Sequence, residues 1–534
     1  MTTPRLMSAG LLLIAGLAVT FAPKDAEAER GGKESQMLLI GIDGAEWLVI
    51  EDLWAKGYLP HLRALVNRGV RAKLKTEYGK SPVIWTTIAT GVLPEKHGIT
   101  GFVVATDEGD VPVASTVRKV PALWNIATSA GLYVNQVGWW GSWPAEVISG
   151  VNVTDKVQAG DANVVQPKTW ETKIKGELAQ INSQTYKSMF PGEQQFAPED
   201  RVVAHVAPGL AASGYDLMVM YLHGSDPNSH RYWRYYRPQD FPGVAVDAAE
   251  AAKHADRIPK AYKSIDQVIG RMVESSGTDT NIIIVSDHGF HALDEPIVKV
   301  VIDLDLVLAK LGYQVRTGEK IDVAKSKASA YGSRHNEVRK RVRFYVQGRD
   351  AGGTVAAADV AKHRAELEKA LLTKVTYASG MPVFGVEDAL PSDKAQGADF
   401  VVVVLDDGAT KELIINGAPT SEPVKGMVEN SGGHEGNPPG IFIAAGPDIN
   451  TKAVMPATLS IHDVAPTVLY GMGLPVGQDF SGKAQTALYT DAYRQAHPLK
   501  TVPTYGTLRN TSEVSKSQDD AEILKQLQEL GYLE

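Results

Sequence analysis

Four short apolar runs set the frame of this 534-residue chain. Met37 to Asp43 reads MLLIGID, Asp216 to Leu222 reads DLMVMYL, Asn281 to Asp287 reads NIIIVSD, and Gly440 to Ala445 reads GIFIAA. Runs this continuous, without polar alternation, read as strands covered on both faces, which is the pattern of a parallel sheet between helices. Helix-period segments lie between them: Leu62 to Val66 with its flanks, and Ile265, Val268, Ile269, Met272 and Val273, which share one face. The alternation predicts an α/β fold, a doubly wound, mostly parallel sheet with helices on both faces. In such sheets ligands bind at the carboxyl ends of the strands.

That is where the chemistry-bearing side chains fall. Asp43 closes the first run, and the second leads into HGSDPNSH with Asp226 and His230. The third leads into SDHG with Asp287 and His288, and the polar loop SGGHEGNPP beside the fourth carries His434. Singly, each has a bland explanation: an Asp-Gly pair is a turn, an acid can enter a helix, and a buried histidine is usually just hydrogen-bonded. Jointly, three carboxylates and three imidazoles suffice for two divalent ions such as zinc, with coordination positions left for substrate. His223, His291 and His462 lack this support and read as supporting residues. The chain has no cysteine, which excludes disulfides and thiolate ligands or nucleophiles.

Net charge is −8 and no dense basic block is present, so a dedicated nucleic-acid binder is excluded as a class. The one basic run, Arg339, Lys340, Arg341 and Arg343, reads as a solvated face. Residues 1–28 have the form of an export signal: Arg5, an apolar stretch from Leu6 to Ala22, then small residues, with cleavage predicted after Ala28 and a periplasmic or secreted product. No other run approaches a membrane span. Two stretches break the strand–helix alternation, about 150–212 and 310–430, and read as insertions, the second long enough for a cap or lobe. This places a catalytic core at 37–309 and 431–490. In the tail, 491–534, Ile523, Leu524, Leu527 and Leu530 have helical spacing and predict a docking helix.

The loop from Lys80 to Phe102, KSPVIWTTIATGVLPEKHGITGF, supplies hydroxyl nucleophiles, and the residues alone leave Ser81, Thr86 and Thr87 open. The order Asp, hydroxyl loop ending TG..PE.HGI, DxxxH, DHG and GxH resembles the alkaline phosphatase superfamily, nearest its type I phosphodiesterase and nucleotide pyrophosphatase branch, over most of residues 37 to 485. The resemblance implies a metal-dependent phosphoric ester hydrolase, a phosphodiesterase or phosphatase, acting through a covalent phosphoseryl intermediate on a small-molecule phosphate ester. In that superfamily the nucleophile stands ten residues before the glycine of the TG pair; here that glycine is Gly91, which implies Ser81. Residue by residue, Asp226, His230 and His434 match the ligands of one ion. Asp43, Asp287 and His288 match those of the other, with Ser81 Oγ beside it, and the resemblance implies two zinc ions. IFIAAGPDI (Ile441 to Ile449) and HDVAPTVLYGMGLP (His462 to Pro475) look like the family's closing strand and helix. WWGSWPAE, Trp139 to Glu146, is similar to bacterial members, without a role attached.

Two departures bear on substrate. Sulfatases of this fold carry Pro two residues and Arg four residues after the nucleophile, where this chain has Val83 and Trp85. Nucleotide pyrophosphatases carry an Asn after the HGI segment, where this chain has Phe102. A sulfatase-like hydrolase and a nucleotide substrate are both disfavoured. Aromatic residues around the loop, with no secure arginine for a dianion, favour a diester or phosphonate monoester. An envelope phosphoryl or phosphoglycerol transferase is the alternative, since it differs only in which hydroxyl enters second.

Overall fold

The structure, a computed structural model, describes residues 36–106, 109–158, 161–181, 198–242, 246, 248–318, 320–331, 339–390, 393–394, 397–405, 412–508, 516–518, 520, 523–524 and 527. The export signal read from residues 1–28 and Leu530 lie outside the described residues.

Among the described residues nine strands make the main sheet: β1 (Gln36–Ile42), β2 (Gly69–Lys75), β3 (Val134–Val137), β4 (Asn152–Val153), β5 (Val165–Gln166), β6 (Leu217–Leu222), β7 (Thr280–Val285), β8 (Gly440–Ala445) and β9 (Thr458–Ser460). Their spatial order is β9-β2-β8-β7-β1-β6-β3-β4-β5. The first three apolar runs form its centre, β7-β1-β6, all parallel. Leu38, Ile40 and Ile42 of β1 join one buried cluster and Met37 and Leu39 another on the opposite face. That two-sided burial explains why the run shows no polar alternation.

Strand register assembles the site. Ile42 lies opposite Leu222, and Gly41 opposite Val285. Carried past the strand ends, this brings Asp43 beside His223 on one side and Asp287 on the other. Two glycines make the geometry possible. A Cβ at Gly41 would stand 2.7 Å from the Trp85 ring, and Gly44 turns the chain with φ +61°.

β8 is antiparallel to both neighbours, β2 and β7. The loop before it therefore opens at the end where the parallel strands finish. His434 thus does not follow a sheet strand as the other ligand candidates do: it ends the strand Val424–Gly433, which pairs antiparallel with His291–Ile302 outside the main sheet.

Helices carry the remaining site residues. α1 (Trp47–Ala55) is capped by Glu46, whose carboxylate accepts from Leu48 N at 3.0 Å and, with its other oxygen, from Phe290 N at 3.0 Å. The exits of β1 and β7 are thereby tied together. α2 (Ser81–Thr90) begins at Ser81, with Pro82 in its first turn, and ends at Gly91 in the left-handed region. α3 (Ser225–Tyr236) follows β6, and α4 (Arg257–Ser276) buries the predicted stripe of Ile265, Val268, Ile269 and Met272.

Residues 150–212 contribute β4 and β5 to the sheet edge. In the later stretch, Ala328–Ala330, Arg339–Phe344, Phe400–Val404 and Phe384–Glu387 form a separate antiparallel sheet with its own core, including Phe344, Leu371 and Phe400. The basic run lies on this sheet and is not the solvated face expected of it. Lys340 alternates inward and is buried, while Arg339 and Arg341 bond Asp393 and Arg343 bonds Asp350. Period-2 alternation, not charge, decides where each residue points. Among the described residues no helix is long and apolar enough to cross a membrane.

The PE.HGI segment is bonded to α2. His97 is fully buried, its Nδ1 accepts from Ile99 N at 3.1 Å, and its Nε2 lies 3.1 Å from Thr87 Oγ1. With Nδ1 accepting, Nε2 carries the proton and donates, so the ring is neutral. Burial, aided by the Arg118 charge and His462, lowers its pKa to about 3. A folded pKa depressed below the unfolded value of about 6.5 means that only the unfolded chain takes up this proton as pH falls from 6.5 to 3. His97 should therefore steepen the acid loss of stability by up to about 1.4 kcal/mol per pH unit in that window. Urea titrations at pH 7, 6, 5 and 4 should show this slope reduced in His97→Asn; equal slopes would show that the ring is not held neutral.

Candidate active site

Asp43 leaves β1 with its two oxygens in different surroundings. Oδ2 accepts from Trp85 Nε1 at 3.4 Å and from the Tyr221 hydroxyl. Oδ1 is buried with no hydrogen-bond partner. Asp287 repeats the division, with Oδ1 accepting from Gly44 N at 3.1 Å and Oδ2 buried and unpartnered. His288 turns Nδ1 to the Gly289 carbonyl at 3.0 Å, which leaves Nε2 buried and unpartnered too.

These three orphaned atoms face one another. His288 Nε2 is 3.3 Å from Asp287 Oδ2 and 3.6 Å from Asp43 Oδ1. Ligands about 2.0–2.1 Å from a tetrahedral ion are separated by about 3.3–3.4 Å, so the spacing suits a shared metal ion. Unsatisfied buried polar atoms are rare and costly, and three converging on one point fit a cation that completes them.

A second group lies alongside. Asp226, His288 and His434 offer ligand atoms within 4.8 Å of one another, as do Asp43, Asp287 and His288. His230 Nε2 stands 3.5 Å from Asp226 Oδ1, and its Nδ1 is 3.0 Å from the Gly432 carbonyl. Asp226 and His230 share a face of α3 because they are four residues apart. The structure thus brings all six expected carboxylates and imidazoles into one buried centre, with His288 between the two groups: its Nε2 is also 3.9 Å from Asp226 Oδ1.

Electrostatics follow burial. Burial and the neighbouring Asp43 carboxylate push the Asp287 carboxyl well above its usual range. Burial, with His288 and His230 beside it, lowers His434 to about 2, so the ring is neutral. For Asp226 burial alone would raise the pKa, but the imidazoles of His230, His288 and His223 outweigh it and hold the carboxyl below the ordinary range.

The hydroxyl candidates separate by their bonding. Thr86 Oγ1 donates to Pro82 O at 2.7 Å and Thr87 Oγ1 to Val83 O at 2.9 Å, each inside its own helix. Ser81 stands at the first position of α2, and its hydroxyl has no hydrogen bond among the described residues. Ser81 and Trp85 are one turn apart on the same helix face, and Trp85 donates to Asp43. Two residues before Ser81, a Cβ on Gly79 would lie 3.5 Å from Asn437 Oδ1, in the loop that follows His434.

Sequence reasoning missed the surroundings of Asp43. Tyr221, five residues before Asp226, holds its outer oxygen, and His223 Nδ1 is 3.1 Å from the Tyr221 hydroxyl. Only the apolar character of DLMVMYL was visible beforehand, and a tyrosine in a buried strand with a polar tip was the available signal. WWGSWPAE also acquires roles. Trp139 stacks edge-on against Trp85 at 5.2 Å, and Glu146 takes both oxygens to Arg118 at 2.7 and 2.8 Å while accepting from Trp124 Nε1. Through Trp139 the motif packs against the helix that begins at Ser81.

Comparison with solved structures finds loose likenesses. Murine ectonucleotide pyrophosphatase/phosphodiesterase 5, an inactive variant in complex with AMP, is 12% identical with a TM-score of 0.39, covering 86% of this chain and 100% of that one. The human protein of the same name is 13% identical with a TM-score of 0.37, covering 85% and 100%. No curated protein matches. The family model for type I phosphodiesterase / nucleotide pyrophosphatase matches residues 37–412, a span that begins at the second residue of β1 and takes in Asp43, the Ser81 loop, Asp226, His230, Asp287 and His288. The chain belongs to the type I phosphodiesterase/nucleotide pyrophosphatase family of the alkaline phosphatase superfamily and is a hydrolase of phosphoric ester bonds.

Proposed function

We propose that this protein is an exported phosphodiesterase that uses Ser81 as nucleophile and binds two zinc ions, one through Asp43, Asp287 and His288 and the other through Asp226, His230 and His434. The observation that carries the reading is the convergence of Asp43 Oδ1, Asp287 Oδ2 and His288 Nε2, all buried and without a hydrogen-bond partner among the described residues. Ser81 adds to it, as an unengaged hydroxyl one helical turn from the tryptophan that touches Asp43.

Divalent ions held there would supply Lewis-acid stabilisation of the charge on the attacking and leaving oxygens. The chain's own residues do the positioning. Ser81 Oγ forms a bond to phosphorus, its proton passes to solvent, and the ester oxygen opposite departs with the bonding pair. Water then attacks the phosphoseryl group from the side the leaving group vacated, releasing phosphate monoester and restoring Ser81. The N-terminal turn of α2 presents the positive end of its dipole to the phosphoryl oxygens, and Pro82 there removes a backbone donor that would otherwise go unused. Tyr221 and Trp85 hold Asp43 so that one oxygen stays directed inward. His223 and Trp140, with ring centroids 5.8 Å apart, stand on that side of Asp43.

Two variants separate the roles. His434→Ala should lose about one equivalent of zinc by elemental analysis and at least about 100-fold in kcat/KM toward a 4-nitrophenyl phosphodiester. Full activity with one ion missing would reject the two-ion reading. Ser81→Ala should keep both ions yet lose at least about 10³-fold in kcat, and no phosphoprotein should be trapped by acid quench. If Ser81→Ala stays active while Thr86→Val or Thr87→Val is dead with its fold intact, the nucleophile is misassigned.

A further inference from the structure

Beside the metal-ligand cluster lies a cavity of about 110 Å³, lined by Phe102, Trp140, Tyr221 and His223, by Asp155 and Lys156, and by Ile523 and Leu527 of the C-terminal segment. The first four form an aromatic box. Trp140 meets Phe102 at 6.2 Å, Tyr221 at 6.2 Å and His223 at 5.8 Å, each edge to face. The box touches the centre directly, because Tyr221 donates to Asp43 Oδ2 and His223 Nδ1 is 3.6 Å from the same oxygen. A phosphoryl group held at that centre would have this cavity as its neighbour. At about 110 Å³ it is smaller than the dry apolar cavities of about 150 Å³ that enclose benzene, but it is open to solvent, so it takes a short alkyl chain whole and a ring that is not fully enclosed.

The outer wall is held by built contacts. Lys156 Nζ pairs with Asp520 Oδ1 at 2.5 Å, and both side chains are almost wholly buried. Lys156 also lies 4.8 Å over the Trp143 ring. Asp161 accepts from Gln518 N at 2.9 Å and from the Ser517 hydroxyl, and Ser517 N donates to Asp520 Oδ2 at 2.8 Å. The floor is braced in turn, as Asp155 accepts from Gly141 N at 2.7 Å and Trp143 N at 3.1 Å. A buried ion pair requires this precision of partners, since either charge left alone is strongly unfavourable. Ser517, Gln518 and Asp520 are thus fastened to Lys156 and Asp161, and Ile523 and Leu527 line the cavity.

We propose that the C-terminal segment is a specificity-determining wall: Ile523 and Leu527 close the aromatic box over the apolar organic group of the phosphate ester, and the Lys156–Asp520 pair sets where that wall stands. This rests on the phosphoesterase reading above and narrows its substrates to esters with an aryl or compact alkyl group. Phe102, in the place where a nucleotide-reading Asn was expected, contributes apolar surface in keeping with such a group.

The test uses zinc-loaded full-length protein, with methyl 4-nitrophenyl phosphate as reporter and phosphonates as competitive inhibitors, each carrying one organic group. Wild type should bind phenylphosphonate at least about tenfold more tightly than methylphosphonate. Ile523→Trp fills the cavity and should bring that ratio to about one while the small reporter is still turned over. Leu527→Ala enlarges it and should improve 1-naphthylphosphonate relative to phenylphosphonate by about fivefold or more. Asp520→Ala should lower the phenyl-to-methyl ratio at least about threefold by freeing the wall. Unchanged ratios in all three variants, with reporter turnover intact, would overturn the wall alone. A wild-type chain that hydrolyses no phosphate ester would overturn the reading beneath it and the wall with it.

Discussion

Two carboxylates, Asp43 and Asp287, are set side by side by strand register and shut away from water, and the rest of the site answers to that constraint. Removing one carboxylate from water costs several kcal/mol, and a like charge beside it adds to the cost. Among the described residues no lysine or arginine is paired with either one. Burial and Asp43 together drive the Asp287 carboxyl upward, which is how such a pair responds when protein atoms alone surround it. A shared proton could join the two acids but would leave His288 Nε2 unanswered. A divalent cation answers all three atoms at once, and it offsets both negative charges.

The supporting shell is consistent with that demand. Four of the ligand candidates have their second polar atom fastened to the protein: Asp43 by Trp85 and Tyr221, Asp287 by Gly44 N, His288 by the Gly289 carbonyl, His230 by the Gly432 carbonyl. Outer-shell contacts of this kind fix which atom points inward and keep the imidazoles in one tautomer. They come from backbone or from large aromatic residues, groups with few rotamers to lose. The aromatic floor of Trp85, Trp139 and Trp124 is therefore part of the site's electrostatics as well as of its core.

Much of this was legible beforehand. Continuous apolar runs announced central strands because both faces are buried, and the acids after them announced a site because parallel strands end together. His434 was harder, since its loop reaches the same end through an antiparallel strand, and strand direction leaves no mark in an apolar run such as GIFIAA. Lys340 was misread because charge suggested solvent, while the alternation of RKRVRF in an antiparallel sheet turns every second side chain inward. Tyr221 and Glu146 were invisible as partners because each acts across long sequence separations, on Asp43 and on Arg118. Such contacts depend on register and packing, and a residue's type does not reveal them.

The site also divides its work between parts of the fold under different constraint. Asp43 and Asp287 stand just past the ends of β1 and β7 and take their places from the sheet register, and a slip of one residue would turn the strands' side chains to the other face. The walls around the phosphoryl position come from loops and a C-terminal segment that reach the centre only through side-chain contacts, such as Lys156 with Asp520. Changes there leave the ligand atoms where they are and alter only what fits beside them. Asp43 and Asp287 are therefore set by the sheet, whereas Ile523 and Leu527 reach the cavity from a segment outside it. That is why motifs at strand ends identified a phosphoric ester hydrolase while the organic half of its substrate had to be sought in the surrounding walls.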